Sequence, residues 1–182
     1  MQFNGYTTTN YPNGISTTLA ATNNGAGAPY SGTNTGQIGQ FTSVTTLTSQ
    51  QLLAMNVTPI QLLPAPGNNL IIVLNSFVAE LIFPSTAGVA YVNGGSATLR
   101  FNLSPTLGTN VIYQYTTANG FGGLITANAT SVAGGTVGGF NGLAAQAAAN
   151  LRNQPLYVDL SAAITGGNSS LQISTFFSVV PV

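Results

Sequence analysis

Charge is almost absent from this sequence. Of 182 residues, only two are acidic and two are basic, so the charged fraction is 2% and the formal net charge is zero. In a typical soluble domain about a quarter of the residues are charged. The four charged residues are Glu80, Arg100, Arg152 and Asp159. Because contacts to phosphate groups need several Lys or Arg side chains, two isolated arginines predict that the protein does not bind nucleic acid.

Histidine, cysteine, lysine and tryptophan are missing altogether. Without His or Cys, the sequence cannot form a Ser–His triad, a cysteine nucleophile or an ordinary zinc site. Two acids are too few for the carboxylate ligands of a usual calcium site. No Gly-Lys-Ser/Thr sequence is present to end a phosphate-binding loop. We therefore expect that the protein is not an enzyme and holds neither a cofactor nor a metal ion.

One catalytic alternative remains for the two acids. Glu80 and Asp159 are candidates for the paired carboxylates of a glycoside hydrolase. The structural alternative is that each acid balances an arginine, for example Glu80 with Arg100 and Asp159 with Arg152, because a buried charge needs a partner. We favour the second interpretation and treat these four residues as candidate structural ion pairs.

The sequence also lacks a long hydrophobic run. Its longest apolar stretch, residues 70–83, is interrupted by Asn75 and Glu80 and is too short to span a bilayer as a helix. The stretch is typical of a pair of buried strands or of one long central strand. We expect no membrane partner.

The first 40 residues differ in composition from the remainder. They are rich in Thr, Asn and Gly, contain few branched apolar residues, and carry four spaced aromatic residues, Phe3, Tyr6, Tyr11 and Tyr30. Aromatic rings in a polar segment provide contact area at modest entropic cost. We interpret residues 1–40 as an extended arm whose aromatic residues contact neighbouring subunits, with a flexible tail as the alternative. Residues 41–182 form the folded domain.

The folded domain has the pattern of many short strands. Thr48 and Gln51 have the spacing of a capping box and predict a short helix after a Thr-rich strand. Asn93-Gly94-Gly95 predicts a hairpin, the Gly-rich residues 120–142 predict a long surface loop, and the Ala-rich residues 143–151 predict a second short helix. Strands are predicted at residues 41–47, 70–74, 77–83, 89–92, 97–103, 111–115, 156–160 and 171–180.

This pattern predicts an all-β fold. Several short strands separated by turn residues, with only one or two short helices, are typical of a jelly-roll-like antiparallel β-sandwich. The extended N-terminal arm would be attached to this sandwich.

The segment LTSQQLLAMNVTPIQLLPAPG, residues 47–67, resembles a segment of small tailed-bacteriophage capsid decoration or cement proteins. In those proteins a short helix leads into a P-x-x-L-x-P-A-P-G turn and then an apolar strand, and their closing hairpin is similar to residues 156–180. The resemblance implies a β-sandwich, commonly a homotrimer, that binds the major capsid protein on the outer surface of the virion. It implies no catalytic residues.

Two other functions fit the composition. An extracellular filament subunit or adhesin module would use its N-terminal segment to complete the sheet of a neighbour by strand addition. A carbohydrate-binding sandwich is a weaker alternative, because such sites often use Trp and this chain has none.

Overall fold

The computed structural model describes residues 7–10, 16–19, 40–93, 97–116, 120–137 and 148–181. Within these ranges it contains twelve strands and three short helices, and every strand pairing is antiparallel. The predicted fold class, an all-β antiparallel sandwich with short helices, is confirmed.

The larger sheet has six strands. They are β1 (Thr7–Asn10), β2 (Ser16–Leu19), β3 (Gln40–Leu47), β5 (Leu70–Ile82), β9 (Ser131–Thr136) and β12 (Ser170–Pro181). Their order across the sheet is β1-β2-β3-β12-β5-β9. The apolar stretch predicted as two strands or one is a single strand, β5, with a register shift opposite Phe176/Phe177. The closing strand β12 pairs with β3 on one side and with β5 on the other, so the two longest strands, β5 and β12, are adjacent.

The second sheet has four strands and lies across the core from the first. They are β4 (Ile60–Leu63), β7 (Leu99–Asn102), β8 (Val111–Tyr115) and β10 (Leu156–Leu160), in the order β4-β10-β7-β8. A separate pair is formed by β6 (Tyr91–Val92) and β11 (Thr165–Gly166).

The helices are short and occur in the connections. Helix α1 (Ser49–Ala54) begins with the predicted capping box. The Gln51 backbone N–H donates to Thr48 Oγ1, and the Thr48 backbone N–H donates to Gln51 Oε1. Helices α2 (Phe121–Ile125) and α3 (Ala148–Leu151) follow later in the chain. In the described ranges, no helix has the length and apolar character needed to cross a membrane.

Two expectations were wrong. The strands before and after Asn93 do not form a hairpin with each other, because β6 pairs with β11 whereas β7 pairs with β8 and β10; Gly94 and Gly95 of the predicted turn lie outside the described residues. The Gly-rich region is not only a surface loop, since it contains α2 and β9. Glycine is required in β9 at Gly134, where a Cβ would lie 2.6 Å from the Phe77 carbonyl oxygen. Close strand approach, rather than loop formation, explains this glycine.

Aromatic side chains fill the space between the two sheets. Phe77 on β5 packs against Phe101, Tyr113 and Tyr115 on β7 and β8, with ring centroids 4.8, 5.6 and 5.2 Å apart. The Phe77, Phe101 and Tyr115 side chains are buried. These tilted and edge-on contacts stabilise aromatic pairs beyond the area that they bury. The cluster therefore joins the two layers at the middle of the sandwich.

Truncating the central ring should destabilise the fold severely. We expect Phe77→Ala to lower the free energy of unfolding by about 3–5 kcal/mol, because it leaves a cavity among three aromatic rings. The matched control is Val78→Ala, at a neighbouring side chain that points outward and is 37% exposed; its expected effect is below about 1 kcal/mol. Denaturant unfolding monitored by tyrosine fluorescence measures both, and equal losses would contradict the assignment of Phe77 to the core.

Candidate functional site

A buried ion pair lies on the outer side of the four-stranded sheet. Arg100 on β7 and Asp159 on β10 are direct cross-strand partners. Their chain neighbours point into the core, so alternation along the strands turns the two charged side chains to the opposite side. The Arg100 Nε donates to Asp159 Oδ1 over 2.6 Å.

The other carboxylate oxygen of Asp159 is also saturated. Its Oδ2 accepts hydrogen bonds from Asn102 Nδ2 at 3.1 Å and from the Gly108 backbone N–H at 3.0 Å. The Asp159 side chain has no exposed surface, and the Arg100 side chain is 18% exposed. A carboxylate out of water needs such partners, because desolvation of the charge is otherwise too costly.

The connection from β7 to β8 covers this ion pair. Gly108 lies in that loop with φ +65°, and a Cβ there would approach Arg100 Nη1 to 2.8 Å. A residue with a side chain would strain the backbone and displace the guanidinium. The polar network thus links β7 and β10 to the β7–β8 loop, and its role is to stabilise the fold.

The observed ion pair differs from the pairs suggested as examples in the sequence analysis. Arg100 pairs with Asp159, so neither Glu80 with Arg100 nor Asp159 with Arg152 is formed. The reason is topological: the adjacency of β7 and β10 places residues 100 and 159 opposite each other, and no local pattern in the sequence reveals that adjacency. Asn102 and Gly108 were not predicted as part of this network. The sequence signal for Asn102 is that alternation along a strand places it on the same side as Arg100. The sequence has no comparable signal for Gly108.

Within one copy, Glu80 and Asp159 lie on the outer sides of different sheets. Glu80 alternates with the buried Ala79 and Leu81, so it points away from the core on the outer face of the six-stranded sheet. Asp159 lies on the outer side of the other sheet. Packed sheets are about 10 Å apart, which exceeds the separation of about 5–9.5 Å between paired glycosidase carboxylates. Among the described residues, no cluster of three or more His, Cys, Asp or Glu side chains is suited to a metal ion.

The outer face of the six-stranded sheet carries several of the exposed apolar side chains among the described residues. Across β3, β12, β5 and β9, one row of opposed residues is Val44, Ser174, Val78 and Gly134, and the next is Thr46, Gln172, Glu80 and Val132. The three valines of these rows are 37–64% exposed. We call this surface, defined by these eight residues, the valine face. Glu80 is its single charged side chain.

Tyr91 marks a second polar centre in the interior. Its hydroxyl donates to the Ser169 carbonyl oxygen over 2.6 Å, and its side chain is 2% exposed. Burial raises the pKa of Tyr91 to about 12. Burial, together with the charge of Tyr113, also raises the pKa of Tyr115. Gly167, at φ +76°, leaves room for the Tyr91 ring, which a Cβ would meet at 2.2 Å.

The predicted subunit contacts of the arm remain predictions. Phe3, Tyr6, Tyr11 and Tyr30 lie outside the described residues. The part of residues 1–40 that is described contributes β1, β2 and the first residue of β3 to the six-stranded sheet.

No protein-family model matches this chain, and a search of curated proteins found none that is significantly similar.

Removing the charge of Asp159 should destabilise the protein. We expect Asp159→Asn to lower the free energy of unfolding by about 3 kcal/mol, because it leaves the Arg100 guanidinium largely buried without a counter-charge. Glu80→Gln is the matched control on the valine face, with an expected change within about 0.5 kcal/mol. Chemical denaturation of both variants tests this, and a stable Asp159→Asn variant would show that the ion pair contributes little.

Alkaline pH should destabilise the protein through its buried tyrosines. Between pH 10.0 and about 12 an unfolded Tyr91 loses its proton while the folded one keeps it, so the free energy of unfolding falls as pH rises. The chain has no Lys or Cys to titrate in this range.

Substitution of Tyr91 isolates its share of this effect. In Tyr91→Phe, the fall in stability across the same pH range should be shallower, although the variant also loses the hydrogen bond to Ser169. Thermal unfolding at a series of pH values measures the slope. Identical slopes in the variant and the wild type would contradict the assignment.

Proposed function

We propose that this chain is a structural protein that decorates or cements the outer surface of a phage capsid, through non-ionic contacts with its own copies and with the major capsid protein. Its location would be the outside of the virion, and its assembly a homotrimer. The observation that carries the proposal is the distribution of charge over the folded domain.

Half of the charge in this chain is withdrawn from the surface. Asp159 is buried and its partner Arg100 is largely covered, which leaves Glu80 and Arg152 as the other charged side chains of the whole sequence. Contacts made by such a surface depend on hydrogen bonds and apolar area, and both are nearly insensitive to ionic strength. A surface without net charge also lacks the repulsion that keeps soluble proteins apart. Both properties suit a coat that must persist outside a cell.

The layout of residues 47–67 supports the resemblance to phage decoration proteins. Helix α1 leads through β4 to Pro64–Gly67 and then into the long central strand β5. Gly67, at φ +111°, ends this turn, and its backbone N–H donates to Asn153 Oδ1 over 3.0 Å. The helix, turn and apolar strand thus follow in the order that the resemblance implies.

An extracellular filament subunit or adhesin module is the second candidate. It is favoured by the position of β1 and β2, which extend the six-stranded sheet beside β3. An N-terminal segment that adds strands to a sheet edge in its own chain is chemically able to add them to the same edge of a neighbour.

Salt resistance tests the capsid proposal. Particles carrying the protein should retain it from low salt to about 1 M NaCl, because only charged contacts weaken as the screening length shortens. The measurement is the amount of protein that sediments with purified particles across the salt series. Shedding at about 1 M NaCl with retention at low salt would contradict attachment by non-ionic contacts.

Deletion of residues 1–39 separates the two candidates. The deletion removes β2 and so exposes the edge of β3 under either candidate, because β2 pairs with β3 within one chain. If the arm is a tether or clamp on the capsid, the shortened chain loses affinity for particles, and the full-length chain forms no filaments. If the arm completes the sheet of a neighbour, the full-length chain forms linear assemblies that the deletion abolishes. Sedimentation with particles and electron microscopy distinguish these results.

A further inference from the structure

Two opposite charges remain after the buried ion pair is formed. The sequence has only four charged side chains, and Arg100 and Asp159 neutralise each other. Glu80 and Arg152 therefore have no other side chain of opposite charge than one another. Within the part of the chain that the structure describes, neither takes part in a salt bridge.

Glu80 and Arg152 lie too far apart to pair within one copy. The residue after Arg152, Asn153, donates its backbone N–H to the Leu70 carbonyl oxygen over 2.8 Å, which places Arg152 near the beginning of β5. Glu80 lies ten residues further along the same strand. At about 3.3 Å per residue, that separation is roughly 33 Å, far beyond the reach of an arginine side chain.

The two remaining charged side chains differ in exposure. Arg152 is exposed just after α3. Glu80 is half-buried between exposed apolar side chains: it lies directly opposite Val132, and Val78 and Ile82 flank it on the same side of β5. The valine face thus combines apolar area with one anion. The connection from α3 to β10, residues 152–155, provides one cation, and we call it the Arg152 corner.

We propose that the valine face binds the Arg152 corner of a second copy of this chain, so that copies associate head to tail with Glu80 opposite Arg152. The proposal rests on the self-association in the proposed function, and it adds one ion pair to a contact between copies that is otherwise non-ionic. It is independent of the capsid. Contacts between two different surfaces of identical chains generate closed rings, such as a trimer, or open filaments.

Charge complementarity favours a second copy bound head to tail over a symmetric dimer of two valine faces. A face-to-face dimer of two valine faces would bury both Glu80 carboxylates in an interface that has no cation. Desolvating a carboxylate without a counter-charge is unfavourable. In the head-to-tail arrangement the ion pair specifies the register, and the valines provide the area that excludes water.

Charge reversal in the full-length chain tests the contact. Sedimentation equilibrium over a range of protein concentrations gives the self-association constant for Glu80→Arg, Arg152→Glu and the double variant. We expect each single reversal to raise the dissociation constant about tenfold, because an attraction is replaced by a repulsion. The double variant should return to within about twofold of the wild type, because the pair is restored with its signs exchanged.

A triple variant separates pairing from net charge. Glu80→Arg combined with Thr106→Glu and Thr109→Glu restores the net charge of zero at two exposed positions of the β7–β8 loop, on the other side of the sandwich from the valine face. It should remain as weak as Glu80→Arg alone. Recovery by this variant, or no recovery by the double variant, would overturn the proposed contact.

Self-association of the wild-type chain is a further test. A monomer at every concentration would overturn the head-to-tail contact and the homotrimer, but not attachment to the capsid, which sedimentation with particles measures separately. Since both positions are on the surface, thermal unfolding should be nearly unchanged in all variants, and this comparison identifies any loss of association caused by misfolding.

Discussion

The buried carboxylate of Asp159 imposes a constraint on half of the sandwich. Its two oxygens accept hydrogen bonds from Arg100, Asn102 and the Gly108 N–H, which belong to one neighbouring strand and to the loop that follows it. An unpaired carboxylate in that position would be severely destabilising, so the β7–β10 pairing and the loop conformation must be formed together. In a chain with four charged side chains, this network uses two of them internally.

Because Arg100 and Asp159 pair with each other, only two charged side chains are left for the surface. Among the described residues, the exposed positions are mainly Ser, Thr, Asn, Gln and Gly together with several valines, and the chain carries no net charge to repel a second copy. Two features follow from the same composition: contacts that persist when salt is raised, and one remaining pair of opposite charges able to specify register. Both are properties that the proposed structural role requires.

Local signals predicted the local structure well. The Thr48–Gln51 capping box, the strands at residues 41–47, 156–160 and 171–180, and the all-β class all follow from short-range patterns, and the structure has them. Non-local pairing could not be predicted in the same way. Asn93-Gly94-Gly95 has the composition of a hairpin, yet β6 pairs with a strand more than 70 residues later in the sequence. The partner of Arg100 was missed for the same reason, because only the sheet order brings Asp159 beside it.

Direct imaging of the native assembly tests the central claim, that the chain is an outer structural component of a virus particle. Electron microscopy of purified particles, with and without a gold-labelled antibody against the chain, locates the protein even at low resolution. Label and additional density are expected on the outer capsid surface, in repeated clusters of several copies. Absence of the protein from the particles, or density on the inner surface beside the packaged nucleic acid, would contradict it.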